Sequence, residues 1–101
     1  MALLRAAKKD EIPVGTIREF QLNGTTVAIA NVDGKLYAIN NTCLHRGGPL
    51  GEGELGGKIV TCPWHGWTYD VTTGKTTMNP AIGVQCYPIE IKGDDVFVEV
   101  G

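Results

Sequence analysis

Three observations predict an all-β fold for this 101-residue chain. Asn-Gly and Asp-Gly dipeptides stand between strand-like runs, where two-residue hairpin turns are made. Apolar and polar residues alternate over Val96-Phe97-Val98-Glu99-Val100, the period of a half-buried strand. The composition, with 14 Gly and 5 Pro, is that of many turns and short strands, while 43% hydrophobic residues suffice for a core. A single domain over 1–101 is expected, since the length is below that at which a second core forms.

Taken in order, residues 2–20 read as a short edge strand, a turn at Asp10 to Gly15, and the start of a second strand; Pro13 and Gly15 break any helix there. Asn23-Gly24 then predicts a type I′ turn. In the following strand Val27, Ile29 and Asn31 share one face, and Thr26, Ala28 and Ala30 the other. Asp33-Gly34 repeats the turn before Lys35 to Ile39, so the chain begins as a three-stranded meander. Six Gly among the eleven residues 47–57 predict a loop. Lys58 to Thr61 is a short strand leading into Cys62, and Trp67 to Val71 another leading away, followed by a turn at Thr73-Gly74. Residues from Cys43 to about Asn79 thus form a small insertion in a larger β base. Val84 to Ile91 returns to that base, and Gly93-Asp94 turns it into the last strand.

The functional signal lies in two short pieces. One is Cys43-Leu44-His45; sixteen residues later comes Cys62-Pro63-Trp64-His65-Gly66-Trp67. They hold both histidines and two of the three cysteines of the chain. Buried cysteines are common and a single histidine is more often structural than a ligand. Two Cys/His pairs in Gly- and Pro-punctuated loops argue instead for a metal or metal-sulfide centre. A Cys2His2 zinc site is one reading, although its usual spacing pairs Cys with Cys and His with His. Mixed pairs suit a two-iron cluster in which one iron takes both thiolates and the other both imidazoles. Flanking glycines then let backbone N–H groups approach the bridging sulfides.

C-x-H, sixteen residues, then C-x-x-H-G resembles the Rieske [2Fe–2S] motif, and the order of elements resembles the Rieske fold along nearly the whole chain. The resemblance implies an antiparallel β sandwich or barrel base (1–41 and 80–101) carrying an inserted cluster-binding subdomain (about 42–79). It implies Cys43 and Cys62 on the inner iron, His45 and His65 on the outer one, and a third covering loop at Asn79-Pro80-Ala81. Two imidazoles in place of two thiolates leave the oxidised site near zero formal charge, about two units above an all-cysteine site, which eases reduction. The imidazoles also make the potential pH-dependent once the oxidised site loses their protons. High-potential relatives resemble C-T-H-x-x-C and C-P-C-H-G-S-x-Y, with an added disulfide and a serine bonded to a sulfide. Here Gly48, Trp64 and Trp67 occupy those positions. A potential in the lower half of the roughly −150 to +300 mV Rieske range is therefore expected. Tyr69 stands where the family's tyrosine bonds a cysteine ligand; as a residue pattern it equally suits a packed strand aromatic. Trp67 reads as packing, and Trp64 as packing or a docking face.

Gly51 to Gly56 matches G-x-G-x-x-G, but that fingerprint works only in a strand-to-helix turn of a βαβ unit. Cys86 reads as a free, partly buried thiol, and Asp94-Asp95 as turn and solvated edge residues. Net charge −2, with no basic run beyond Lys8-Lys9, excludes nucleic acid as an expected partner. Arg5 interrupts the first ten residues before an apolar run reaches signal-peptide length, and no other apolar run could span a membrane. Three cysteines do not make a disulfide framework, and the cytoplasm is the expected compartment.

Both histidines being used, none remains for the mononuclear iron site of a Rieske oxygenase, and no flavin or nicotinamide module is recognisable. The resemblance therefore implies a monomeric one-electron carrier, not an enzyme, that accepts electrons from a flavin-containing NAD(P)H reductase and passes them to a terminal oxygenase. Its alternatives are the small Rieske subunit of an NAD(P)H nitrite reductase, the N-terminal domain of an oxygenase large subunit, and a zinc-stabilised binding module.

Overall fold

Ten strands account for most of the computed structural model, which describes residues 2–44, 47–64, 66–79 and 81–100. They are β1 (Ala2–Lys8), β2 (Ile17–Leu22), β3 (Thr25–Val32), β4 (Lys35–Asn40), β5 (Glu54–Gly56), β6 (Ile59–Thr61), β7 (Thr68–Asp70), β8 (Cys86–Tyr87), β9 (Ile89–Lys92) and β10 (Asp95–Val100). All pair antiparallel, in sheets ordered β1-β10-β9, β2-β3-β4-β8 and β5-β6-β7. The fold is thus the all-β class that the turn chemistry predicts.

Two dipeptides set the register of the four-stranded sheet. Asn23 and Gly24 have φ of 49° and 84°, and Asp33 and Gly34 52° and 94°, the pair of left-handed residues that a type I′ turn requires. Leu22 is thereby placed opposite Thr25, and Val32 opposite Lys35. The expected meander forms, with β3 at its centre.

Both faces of β3 are buried, and they face different cores. Val27 and Ile29 join Ala7, Ile12, Leu22, Leu36, Ala38, Tyr87, Val96, Val98 and Val100. Ala28 and Ala30, on the opposite face, join Ile17, Ile39, Cys43, Leu50, Val60, Cys62, Tyr69 and Val71. The side-chain alternation of a strand assigns the two sets. Alanine on the second face lets the segment carrying both cysteines sit close against the sheet. The buried Asn31 is satisfied at both ends of its amide, donating to Ile12 O (2.7 Å) and accepting from Gly34 N–H (2.8 Å).

Three expectations are corrected. The Gly-rich stretch is not only loop, since it contains a single 3-10 turn (Leu50–Glu52) and strand β5. Its glycines answer to crowding: a β-carbon at Gly51 would stand 2.6 Å from Glu19 Cβ, and one at Gly53 2.1 Å from Thr61 O. The return segment is two strands, because Pro88, which has no N–H to continue a ladder, lies between β8 in one sheet and β9 in the other. Its carbonyl accepts Glu99 N–H at 3.0 Å. Asp95 begins the central strand β10 rather than an edge, and pairs with Arg5 at 3.0 Å.

Candidate metal centre

Cys43 and Cys62 sit in loops built on one backbone template. In the first, Cys43 N–H donates to Gly48 O (2.9 Å) and Gly47 N–H to Cys43 O (2.9 Å); in the second, Cys62 N–H donates to Trp67 O (2.7 Å) and Gly66 N–H to Cys62 O (3.2 Å). Gly47 and Gly66, each four residues after its cysteine, have φ of 72° and 76°, a conformation that glycine adopts without steric cost. Two cysteines in different elements are thus presented by the same turn. His45 and His65, the predicted partners, lie between cysteine and glycine in sequence but outside the described residues, as do Arg46 and Pro80.

Each loop is fixed at its base. Beneath the second, β6 and β7 pair, with Thr61 opposite Thr68. Beneath the first, Asn41 accepts Leu50 N–H through its carbonyl (2.8 Å) and Gly51 N–H through Oδ1 (2.6 Å), and donates Nδ2 to Glu19 Oε2 on β2 (2.8 Å). A polar anchor of this kind ties the loop to the base sheet through a charge-assisted bond. Sequence reasoning missed it; the only signal is the turn-prone Asn40-Asn41 that precedes the loop.

The two thiols are buried, Cys43 at 1% and Cys62 at 2% exposure. Tyr69 Oη accepts Leu44 N–H at 2.9 Å and lies 3.2 Å from Cys43 Sγ. Burial first, and then the bond to Cys43, push the hydroxyl's pKa well above the ordinary tyrosine range. With Cys43 as the thiolate that metal ligation requires, the sulfur has no proton to give, and the Tyr69 O–H is the donor toward it. Of the two sequence readings of Tyr69, the bonded one holds, and the ring is also fully buried.

That donor set fits a metal-sulfide group. A thiolate carries its charge into a buried site only with a donor or a cation beside it, and Cys43 has a directed donor. Among the described residues no group of three or more His, Cys, Asp or Glu side chains is gathered; the predicted set is completed only at His45 and His65.

The third segment is tied beside Tyr69. Thr76 pairs with Tyr69, its hydroxyl donates to Asn79 O (2.9 Å) and accepts Asn79 N–H (3.0 Å), and Thr77 N–H donates to Thr68 O (3.0 Å). Thr68 and Thr77 also share a hydroxyl–hydroxyl bond. Trp67 packs against the second core, as its reading expects, whereas Trp64 is 54% exposed.

Cys86 lies elsewhere. It is exposed rather than partly buried, because the adjacent Tyr87 turns into the first core and the alternation of β8 sends Cys86 the other way, over Gly74. The Cys86→Ser protein is expected to keep its full iron and labile sulfide; loss of either by chemical assay would make Cys86 a ligand.

Tyr69→Phe removes the donor to Cys43 without changing ring packing. A hydrogen bond to a sulfur favours the more negative, reduced state, so the midpoint should fall by about 40–60 mV, the one-electron equivalent of roughly 1 kcal/mol. An unchanged midpoint in a redox titration would make the residue structural only.

Comparisons with known proteins agree with this architecture. The Rieske [2Fe-2S] domain family matches residues 2–88. The ferredoxin component of the naphthalene 1,2-dioxygenase/salicylate 5-hydroxylase systems of Ralstonia sp. is 33% identical over 96 residues, 94% of this chain and 92% of that protein. The biphenyl dioxygenase ferredoxin subunit of Pseudomonas sp. (strain KKS102) is 37% identical over 101 residues, 98% and 93% of the two chains. Among solved structures, a chain in the complex of reduced oxygenase and oxidised ferredoxin in carbazole 1,9a-dioxygenase superposes with a TM-score of 0.87 at 31% identity, covering 95% of this chain and 91% of that one.

Proposed function

This chain belongs to the Rieske [2Fe–2S] domain family, and from that premise we propose that it is a ferredoxin component of an oxygenase system, a one-electron carrier between a flavin-containing NAD(P)H reductase and a terminal oxygenase. The observation that carries the reading is the pair of buried cysteines on matched loops, one of them facing a tyrosine hydroxyl, in a chain that spans more than nine-tenths of two dioxygenase ferredoxins. When bound, the [2Fe–2S] group takes up and gives back one electron.

The residues divide the work. Cys43 and Cys62 would hold the group through their buried thiols, and His45 and His65 would complete its ligand set. Tyr69 donates to one sulfur, Asn41 keeps the first loop on the base sheet, and the segment of about 42–79 acts as the binding subdomain on the base of 1–41 and 80–101. Leu44, Met78 and Ile82, exposed on the first cysteine loop and the third segment, give an apolar rim suited to brief contact with a partner. The carrier acts as a monomer in the cytoplasm; no helix among the described residues is long and apolar enough to cross a membrane.

The test is the EPR spectrum of the reduced protein with iron, zinc and labile-sulfide counts. A Rieske-type signal with equal iron and sulfide, and a midpoint in the lower half of the roughly −150 to +300 mV range, is the expected result. Zinc without sulfide would sink the carrier reading.

A further inference from the structure

Gly48 and Trp64 come from different loops, yet they meet at one point beside a cysteine sulfur. A β-carbon at Gly48 would stand 2.7 Å from Cys62 Sγ, 3.0 Å from Trp64 Cγ and 3.2 Å from Trp64 Cβ. The backbone of the first loop, the sulfur of the second and the root of the Trp64 indole are therefore close neighbours. Gly48 is buried, and its φ is not in the left-handed range, so this position needs glycine for space and not for conformation. Tyr69 reaches the same loop from β7, at Leu44 N–H and Cys43 Sγ. The first loop is thus held from the second loop's side at two places, by a hydroxyl at Cys43 and by an indole at Gly48.

Resting on the cluster reading above, we infer that Trp64 is a positioning residue that clasps the two loops across Gly48 and keeps water from the Cys62 sulfur. Its exposed ring edge makes it resemble a docking residue, but its root is spent on the other loop. Release of iron from such a centre requires the loops to part or a chelator to reach a ligand, and the clasp opposes both. Water admitted to the sulfur would donate hydrogen bonds that favour the reduced state.

The test uses the holoprotein and its Trp64→Phe, Trp64→Ala and Gly48→Ala variants. It reads the rate of iron release to a ferrous chelator by visible absorbance, the midpoint by redox titration, and KM for reduction of a terminal oxygenase. Trp64→Ala is expected to lose iron about tenfold faster, as removal of one half-buried aromatic contact would give, and to shift to a more positive midpoint. Trp64→Phe, which keeps an aromatic root over Gly48, should stay within about twofold of the wild type. Gly48→Ala should behave like Trp64→Ala or purify with little iron. Unchanged release and midpoint in Trp64→Ala, with or without a raised KM, would overturn the clasp, a raised KM making Trp64 a docking residue. A wild-type protein without iron and labile sulfide would overturn the cluster reading itself, and the clasp with it.

Discussion

The Cys62→Ala protein is expected to purify without iron, labile sulfide or a reduced-state EPR signal, and Cys43→Ala likewise. Each thiol is buried, at 2% and 1% exposure, on a loop whose hydrogen bonds fix the cysteine backbone from both directions. No other thiol stands near enough to replace it: the remaining cysteine, Cys86, is exposed on another strand, over Gly74. The protein itself should remain folded, because removing one sulfur from a core of ten buried residues costs about 1–2 kcal/mol against a domain stability of about 5–15 kcal/mol. Far-UV circular dichroism separates loss of the group from loss of the fold. A folded Cys62→Ala protein that retains its full iron would remove Cys62 from the ligand set.

The second large effect concerns a glycine with no role in ligation. Gly53→Ala is expected to destabilise the protein by about 3 kcal/mol, or about 12–24 °C in Tm. The added carbon would stand 2.1 Å from Thr61 O and 3.2 Å from Leu50 O, so β5 must move away from β6 or the turn before it must open. Thr61 directly precedes Cys62, and the displacement reaches the second loop. Gly56→Ala is the control: a β-carbon there meets nothing within 4 Å, and its melting curve should stay within about 0.5 kcal/mol of the wild type. Equal melting of the two variants would show that β5 gives way freely.

What could be read without coordinates follows from the range of the interactions. The hairpins at Asn23-Gly24 and Asp33-Gly34 are dictated by two adjacent residues each, and the buried face of β10 by its own alternation; both are visible locally. The two cysteine pieces were equally visible, because ligand chemistry limits which residue types can serve. Less legible were contacts between residues far apart in the chain. Only the resemblance sets Gly48 opposite Trp64, at the two positions that a disulfide joins in high-potential relatives; nothing near Gly53 announces the Thr61 carbonyl, and Asn41 looks like any turn residue until Glu19 and Gly51 are beside it. The same limit explains why a run of glycines hid a strand. Glycine reads as freedom in isolation, and here three of its occurrences, Gly48, Gly51 and Gly53, are imposed by crowding. The break at Pro88 was visible as a residue, but not the passage from one sheet to another.

One consequence of β3 reaches beyond the site. A strand with a core on each face behaves as a party wall: the half of the molecule that carries the cysteines can open while Val27 and Ile29 keep their packing, and the opposite half can loosen while Ala28 and Ala30 keep theirs. Local openings of either half therefore leave the wall standing, and only global unfolding removes it. Loading and loss of the inorganic group are then expected to be events of one room in a house whose central partition does not move, with an emptied chain staying folded and ready to be filled again.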